Sequence, residues 1–300
     1  MDEQIKIGKT EFKVTNLDKI YWPDEGYTKG DMIKYYYEIA NYMLPYLKNR
    51  PESLNRFPNG IKGPSFYQKN VGDTLPKWLK KEKIYSESND EYINYLVCND
   101  KATLVYMANL GCIEINPWCS TIKYLDKPDY LVIDLDPEDI SFDKVIETAR
   151  AVKEVLDKAK CDGYCKTSGA TGLHIYVPLN HKYEYEIARE FAKVIASHVH
   201  DLLPGFTSME RSPKKRQKKV YLDYLQNSRG QTLAAPYSLR PKPKATVSTP
   251  LEWKELKTKF TPQDFTIKTI QKRLKKKGDL FKGVLGKGVN VEKCLKNLNS

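Results

Sequence analysis

The sequence predicts an α/β domain, on three observations. Short apolar runs bounded by turn residues, YLVIDLDP, HIYVPL and VYLDYL, read as core strands. Two stretches between them carry apolar residues at helical spacing. Strand and helix then alternate along the middle of the chain, the pattern of helices laid on a sheet. With 300 residues the chain can bury a sizeable core, as one large domain or two interleaved lobes.

In chain order, a first helix is expected over about 30–47. Thr28 and Asp31 stand three apart, like a capping box with aspartate in place of glutamate, and Ile33, Tyr36, Tyr37, Ala40, Leu44 and Leu47 follow at helical spacing. Prolines and glycines between 50 and 72 punctuate strands and loops. The apolar stretch 101–114 has no decisive period and is read as helix. A strand follows at 130–135, which Pro137 is expected to stop. A helix over 141–159 aligns Val145, Ile146, Ala149, Val152 and Leu156. After a second strand at 174–179, a helix over 184–203 aligns Ile187, Phe191, Val194, Ile195, His198 and Leu202 and ends at Pro204-Gly205. The third strand is 220–225, and residues 231–249 predict a long ordered loop. The lysine-rich C-terminal end holds a short amphipathic stretch at 291–298. The whole is expected as a single domain, 1–300, with a core of about 10–265 and a basic extension over 266–300.

A formal net charge of +12 favours a polyanionic partner, nucleic acid first. The alternative is a soluble protein that happens to be basic. The polar start MDEQIKIGKTEFKV has no signal-peptide apolar region, and no stretch approaches the roughly 18 apolar residues of a membrane span. The expected compartment is the cytoplasm. Six cysteines form no CxxC pair and four histidines no HExxH, which disfavours structural zinc and zinc hydrolysis.

The chemistry centres on acids. Asp134 and Asp136 stand two apart on an apolar strand, so both side chains face one way. Carboxylates this close repel and are costly to bury together unless a cation neutralises them. Oxygen donors at this spacing suit Mg²⁺ or Mn²⁺, and a pair of such ions can activate a 3′-hydroxyl and stabilise pyrophosphate. Asp223, in VYLDYL, is the best third ligand. The competing reading is a strand end with both acids solvated beside Pro137.

In KTSGATGLHIYVPL, Gly169 and Gly172 allow close backbone approach to an anion, and Ser168, Thr171 and His174 can donate to phosphate oxygens. An ordinary hairpin explains the segment equally well. It does not match the Walker pattern. Arg240 could clamp a triphosphate bidentately, or be a surface charge.

YLVIDLDP, SGATGLHIYVPL and YLDYLQNSRGQTLAAPYSLRPKPKATVSTPLEW occur in the order of the archaeo-eukaryotic primase superfamily. More narrowly, the chain resembles the polymerase domain of bacterial DNA ligase D, of non-homologous end joining, from about 17 to 253. The resemblance implies a primase-type catalytic core, with an RRM-like mixed sheet packed against a second small lobe. It implies Asp134, Asp136 and Asp223 as ligands of two Mn²⁺ or Mg²⁺ ions, and Ser168 and His174, assisted by Arg240, as contacts of an incoming NTP or dNTP, ribonucleotides preferred.

Lys19 and Lys29 match the lysines of a pocket for the 5′-phosphate of a gap or overhang. Phe66 and Tyr67 match an aromatic pair that packs on template bases, and Arg56 a basic residue near the substrate. Each has a plainer reading, as surface charge or core aromatic. The run RSPKKRQKK, with Arg211, Lys214, Lys215 and Arg216, lies near DNA by resemblance and suits phosphate contacts that position without reading sequence. A mobile solvated loop is the alternative. The chain departs from many relatives at Asn55 (lysine there), Asn116 (histidine) and Ala170-Thr171 (a lysine within the turn). These bear on nucleotide affinity and sugar choice, not on the metal ligands.

The expected activity is extension of broken DNA ends, by a stand-alone subunit or a domain of a larger ligase, with Ku and a DNA ligase as partners. A replicative or plasmid-type primase and a non-catalytic end-binding module are the alternatives. The first would not depend on the 5′-phosphate, and the second would not incorporate nucleotides.

Overall fold

The computed structural model describes residues 1–72, 75–87 and 89–300. Two short hairpins open the chain: β1 (Glu3–Ile7) with β2 (Thr10–Val14), and β3 (Ile20–Trp22) with β4 (Tyr27–Thr28). Helix α1 (Lys29–Leu47) follows, and the capping box read from the sequence is present. The Thr28 side chain accepts from the Asp31 N–H, and the Asp31 side chain accepts from the Thr28 N–H.

A five-stranded sheet makes the smaller lobe. It comprises β5 (Pro51–Arg56), β6 (Phe66–Gln68), β7 (Lys81–Ser86), β8 (Glu91–Val97) and, after helix α2 (Lys101–Asn109), β9 (Cys112–Pro117), which pairs with β5. The apolar stretch read as one helix is therefore a helix and a strand. Gly111 sits between them at φ +80°, a conformation that side chains disfavour, and turns the chain.

The other lobe carries β10 (Tyr130–Glu138), α3 (Phe142–Lys158), β11 (Tyr164–Thr167), β12 (Leu173–Pro178), α4 (Tyr185–Leu202), β13 (Thr207–Ser208), β14 (Lys219–Asp223) and β15 (Pro250–Leu251). Its six strands run in the order β13-β14-β10-β12-β11-β15, antiparallel except for β13 beside β14. Pro137 does not stop β10, which continues to Glu138. Pairing with β12 ends at Leu135, so Pro137 lies where β10 has become an edge on that side, and edges tolerate proline.

Alternation splits the sheet into two faces. Leu131, Ile133, Leu135, Leu173, Ile175, Val177, Val220 and Leu222 pack in one core with α3 and α4. The face of α4 differs from the expected one. Ala188, Ala192 and Ala196 point inward with Phe191 and Ile195, while Ile187 and Leu202 are exposed. Small residues let the helix lie close on the sheet, and a count of large apolar residues misses them. Residues 231–249 are an ordered loop as expected, and largely buried. The C-terminal end packs into both cores: Ile270 and Leu274 of α5 (Ile270–Lys277) in one, and Val291, Cys294 and Leu298 of α6 (Val291–Leu298) in the other. Among the described residues, no helix is long and apolar enough to cross a membrane.

Candidate active site

Four charged or polar side chains stand in one row across the six-stranded sheet. The registers pair Lys166 with His174, His174 with Asp134, and Asp134 with Asp223. Directly opposed residues share a face, so the four lie side by side on β11, β12, β10 and β14. Asp136 points to the same side, opposite Tyr221. A one-residue slip of β10 would turn both aspartates into the α3/α4 core and Ile133 and Leu135 out of it. The hydrophobic pattern thus fixes where the acids stand.

Burial pushes the Asp134 carboxyl up to about 8, and the charges of Asp136 and Asp223 push it the same way. Burial also raises Asp136, against the pull of Arg216, and raises Asp223, against hydrogen bonds from the Leu225 N–H at 2.8 Å and the Tyr221 hydroxyl at 3.4 Å. Among the described residues, no three acid, histidine or cysteine side chains already stand in a ligating arrangement. The three carboxylates share a face and each other's field without forming a closed cage. Their donor set is all hard oxygen and is driven toward protonation by burial, and at Asp134 and Asp136 by neighbouring carboxylates as well, which fits a hard divalent cation.

A cavity of about 520 Å³ opens in front of the acids. Asp134, Asp136, Ser168, Thr171, His174, Arg240 and Asn116, all read from the sequence, line it, together with Tyr67 and Glu114. Asp223 lies in an adjoining concavity with Arg211 and Arg216. Burial drives the His174 pKa well below its usual range, helped by the charges of Lys166 and Arg240, so the ring is neutral. Its Nε2 is 3.4 Å from Asp134 Oδ1. Arg240 donates from Nε to Glu114 Oε2 at 2.9 Å and from Nη1 to the Ser168 carbonyl. The Asn116 amide reaches the Ser53 and Glu114 carbonyls, each at 3.4 Å.

The glycines of the β11–β12 turn are required by the packing of the turn itself. A Cβ on Gly169 would come within 2.8 Å of the Ser248 backbone and 2.7 Å of Arg240, and one on Gly172 within 2.2 Å of the Leu135 carbonyl. They let the turn close against the protein itself, and Gly172 also lines the cavity. Within it, the Ser168 hydroxyl accepts from the N–H groups of Ala170 and Gly172 at 3.1 and 3.0 Å.

Lys19 and Lys29 adjoin, the Lys29 N–H donating to the Lys19 carbonyl at 2.8 Å, and Arg56 lies near enough for its charge to act on Lys29. Lys29 is not a surface charge. It is 4% exposed and donates to the Thr15 carbonyl at 2.7 Å and to Asn109 at 3.0 Å. Burial pushes its pKa down to about 8, and the charges of Lys19 and Arg56 push it further down. Phe66 and Tyr67 are 46% and 61% exposed, which excludes a core pair. As neighbours on β6 they face opposite ways: Tyr67 lines the cavity, while Phe66 lies under the Arg56 guanidinium at 5.2 Å. The basic run contains a 3-10 turn, Pro213–Lys215. Lys214 and Lys215 are exposed, but Arg216 is 7% exposed, lies 3.8 Å over the Tyr221 ring and pulls on Asp136.

A family model described as the LigD primase-polymerase domain matches residues 28–281. The chain belongs to this family. It is 37% identical to a Bacillus subtilis protein named bifunctional non-homologous end joining protein LigD, over 90% of this chain and 44% of that protein. It is 31% identical to the multifunctional LigD of Mycolicibacterium smegmatis, over 81% of this chain and 32% of that one. The chain thus spans less than half the length of these curated relatives. Its fold matches the polymerase domain of Mycobacterium tuberculosis ligase D, solved in complex with DNA, with a TM-score of 0.84 and 28% identity, covering 92% of this chain and 98% of that one. The chain is accordingly a polymerase-type nucleotidyltransferase, of a metal-dependent family.

Within this LigD-type site, two residues escaped the sequence reading. Glu114, 4% exposed, was placed in a helix rather than on β9, and its partner Arg240 is 126 residues away. Lys166 is fully buried, and its short strand, YCKT, carries no pattern that marks it so. Asp134 also yields a pH prediction. Its pKa is raised from 3.8 to about 8, so without metal the folded chain holds a proton that the unfolded chain releases. The stability this contributes is complete below about pH 4 and is lost as pH rises through about 8. Divalent cations reverse the penalty by binding the ionised form, so added Mn²⁺ should raise Tm more at pH 8 than at pH 5.5. Equal gains in thermal scans at the two pH values would contradict the raised acid.

Proposed function

We propose that the chain extends and fills in broken DNA ends in bacterial non-homologous end joining, adding NTPs or dNTPs, ribonucleotides preferred, to a 3′-hydroxyl. The carrying observation is the row of acids facing a cavity large enough for a nucleotide and lined by Arg240, Ser168 and Thr171. Asp134, Asp136 and Asp223 would hold two Mn²⁺ or Mg²⁺ ions. These supply the positive charge that favours an ionised 3′-hydroxyl and a departing pyrophosphate.

The chain's own residues do the positioning. Arg240 and the Ser168–Thr171 turn hold the triphosphate, His174 offers it a further donor, and Asn116 stands at the opposite cavity wall. Tyr67 and Phe66 pack on template bases, where stacking is worth about 1–3 kcal/mol per base and tolerates any sequence. Arg211, Lys214 and Lys215 contact the DNA backbone, whereas Arg216, expected there too, is buried over Tyr221 and turned to Asp136 instead. Ku and a DNA ligase complete the reaction in the cytoplasm.

Dependence on the 5′-phosphate separates end joining from de novo priming. The charges of Lys19 and Arg56 both bear on the buried Lys29, a concentration of positive charge that suits an anion. Lys19 is the one to reverse, because it is half-buried and borders the cluster without being sealed in it. A hydrogen bond to a charged group is worth about 1.5–3 kcal/mol, or roughly tenfold and upward in affinity. Lys19→Glu should therefore weaken binding to a 5′-phosphorylated gap at least about tenfold and leave the 5′-hydroxyl gap nearly unaffected. Equal losses on both substrates in a fluorescence-anisotropy titration would remove the phosphate pocket from the proposal.

A further inference from the structure

Helix α5 sorts its residues by face. Ile270 and Leu274 are buried in the core. Beside them Arg273 pairs with Glu255 at 2.6 Å, and Lys277 with Glu252 at 2.6 Å. Lys272, Lys275 and Lys276, at i, i+3 and i+4 spacing on the remaining face, are exposed. Exposed Lys268 stands four residues before Lys272, its Nζ 5.0 Å over the Tyr27 ring. The row continues on a second segment. The loop that leaves the nucleotide cavity at Arg240 carries exposed Lys242 and Lys244. It is stitched to the approach to α5 by the bridge of Thr246 to Thr266 and by the Ile267 N–H, which donates to the Ala245 carbonyl at 3.0 Å. Among the described residues, none of these six lysines has an ion pair.

Like charges at this spacing repel, and the helix dipole offsets that only in the last turn. The acids nearby are engaged elsewhere: Glu252 and Glu255 on the paired side of α5, and Glu25 with the Lys244 backbone N–H at 2.6 Å. The composition of the row says what would neutralise it. Protein interfaces favour aromatic residues and arginine and are depleted in lysine. A helix that lies on a membrane needs its apolar face free, and that of α5 is in the core. Lysines alone, as point charges without a planar fork, suit a repeating phosphate backbone whose sequence is not read. At a rise of about 1.5 Å per residue, Lys268 to Lys276 spans about 12 Å, along which one strand of a duplex presents about three to four phosphates.

We propose that Lys242, Lys244, Lys268, Lys272, Lys275 and Lys276 form a second DNA track, which binds the phosphate backbone of double-stranded DNA leading away from the nucleotide cavity. The inference rests on the proposed end filling for the DNA that arrives, but not for its test.

The test is fluorescence-anisotropy binding of the whole chain to a 5′-phosphorylated gapped duplex, without metal or nucleotide, over a series of salt concentrations. Each phosphate contact adds about 0.9 to the steepness of log K against log salt. Lys272→Gln/Lys275→Gln/Lys276→Gln should make that slope shallower by about 2–3 and weaken binding at low salt at least about tenfold. The matched control is Lys158→Gln/Lys160→Gln/Lys193→Gln, three exposed lysines on or beside α3 and α4, the helices packed on the sheet face away from the acids. It removes the same net charge and should change the slope by less than about 1. An unchanged slope in the α5 variant, or an equal change in the control, overturns the inference. So does a loss confined to single-stranded DNA of the same length. Should the triple variant lose its thermal transition, Lys272→Gln alone, expected to change the slope by about 1, decides in its place. The expected slopes from a chain that incorporates no nucleotide would uphold the track and sink the proposed function instead.

Discussion

Asp136→Ala is expected to reduce nucleotide incorporation by on the order of 10³-fold or more, while DNA-end binding stays within about twofold. The charge that a bound cation places on a reacting oxygen is worth several kcal/mol of barrier, and each 1.36 kcal/mol is about tenfold in rate. Asp136 is the acid whose loss disturbs the fold least. It is half-buried on the strand's solvent-facing end, and removing it relieves repulsion on Asp134 and Asp223. Metal-free stability should therefore hold or rise slightly as activity collapses, a combination that a misfolded variant cannot produce. Primer extension on a 5′-phosphorylated gap, with thermal unfolding of the same preparation, checks both halves. Undiminished extension would remove Asp136 from the metal site.

Arg50→Ala should cost about 3–5 kcal/mol of folding stability, the usual penalty for leaving one member of a buried ion pair alone. The guanidinium is 2% exposed. It pairs with Asp129, donates to the Cys119 carbonyl at 2.8 Å and lies 5.1 Å over the Tyr130 ring. These contacts tie the residue before β5 of the smaller lobe to the start of β10, the strand that carries the acids. The exposed pair of Lys62 and Asp24, at 2.7 Å, is the control. Solvent screens it, and removing it should cost no more than about 1 kcal/mol. Urea unfolding of the two variants gives the comparison. Equal, small losses would show that Arg50 does not hold the lobes together.

The parts of this site that were legible in the sequence are those written in local patterns. The Asp134/Asp136 pair follows from alternation on an apolar strand, and α1 from a capping box followed by helical spacing. Asp223 was legible because a second apolar strand also carries an acid, and the register places it directly opposite Asp134. What the sequence hid was set by tertiary partners. Glu114, Lys29 and Lys166 are charged residues whose burial shows only once their partners, Arg240, Asn109, and Ala234 with Ser248, are brought in from distant segments. The continuation of β10 through Pro137 depends on where β12 stops pairing, which no run of residues in β10 records. The inward face of α4 was misread because alanines at i, i+4 spacing carry little hydrophobic weight, yet they permit close packing on the sheet.

The central claim is that carboxylates from β10 and β14 hold divalent cations beside a nucleotide cavity. Anomalous diffraction from crystals soaked with Mn²⁺ and a non-hydrolysable nucleoside triphosphate tests it most directly. The account predicts manganese peaks within ligand distance of Asp134, Asp136 and Asp223, with the triphosphate toward Arg240 and Ser168. Manganese bound elsewhere, or a triphosphate seated away from the three acids, would contradict it.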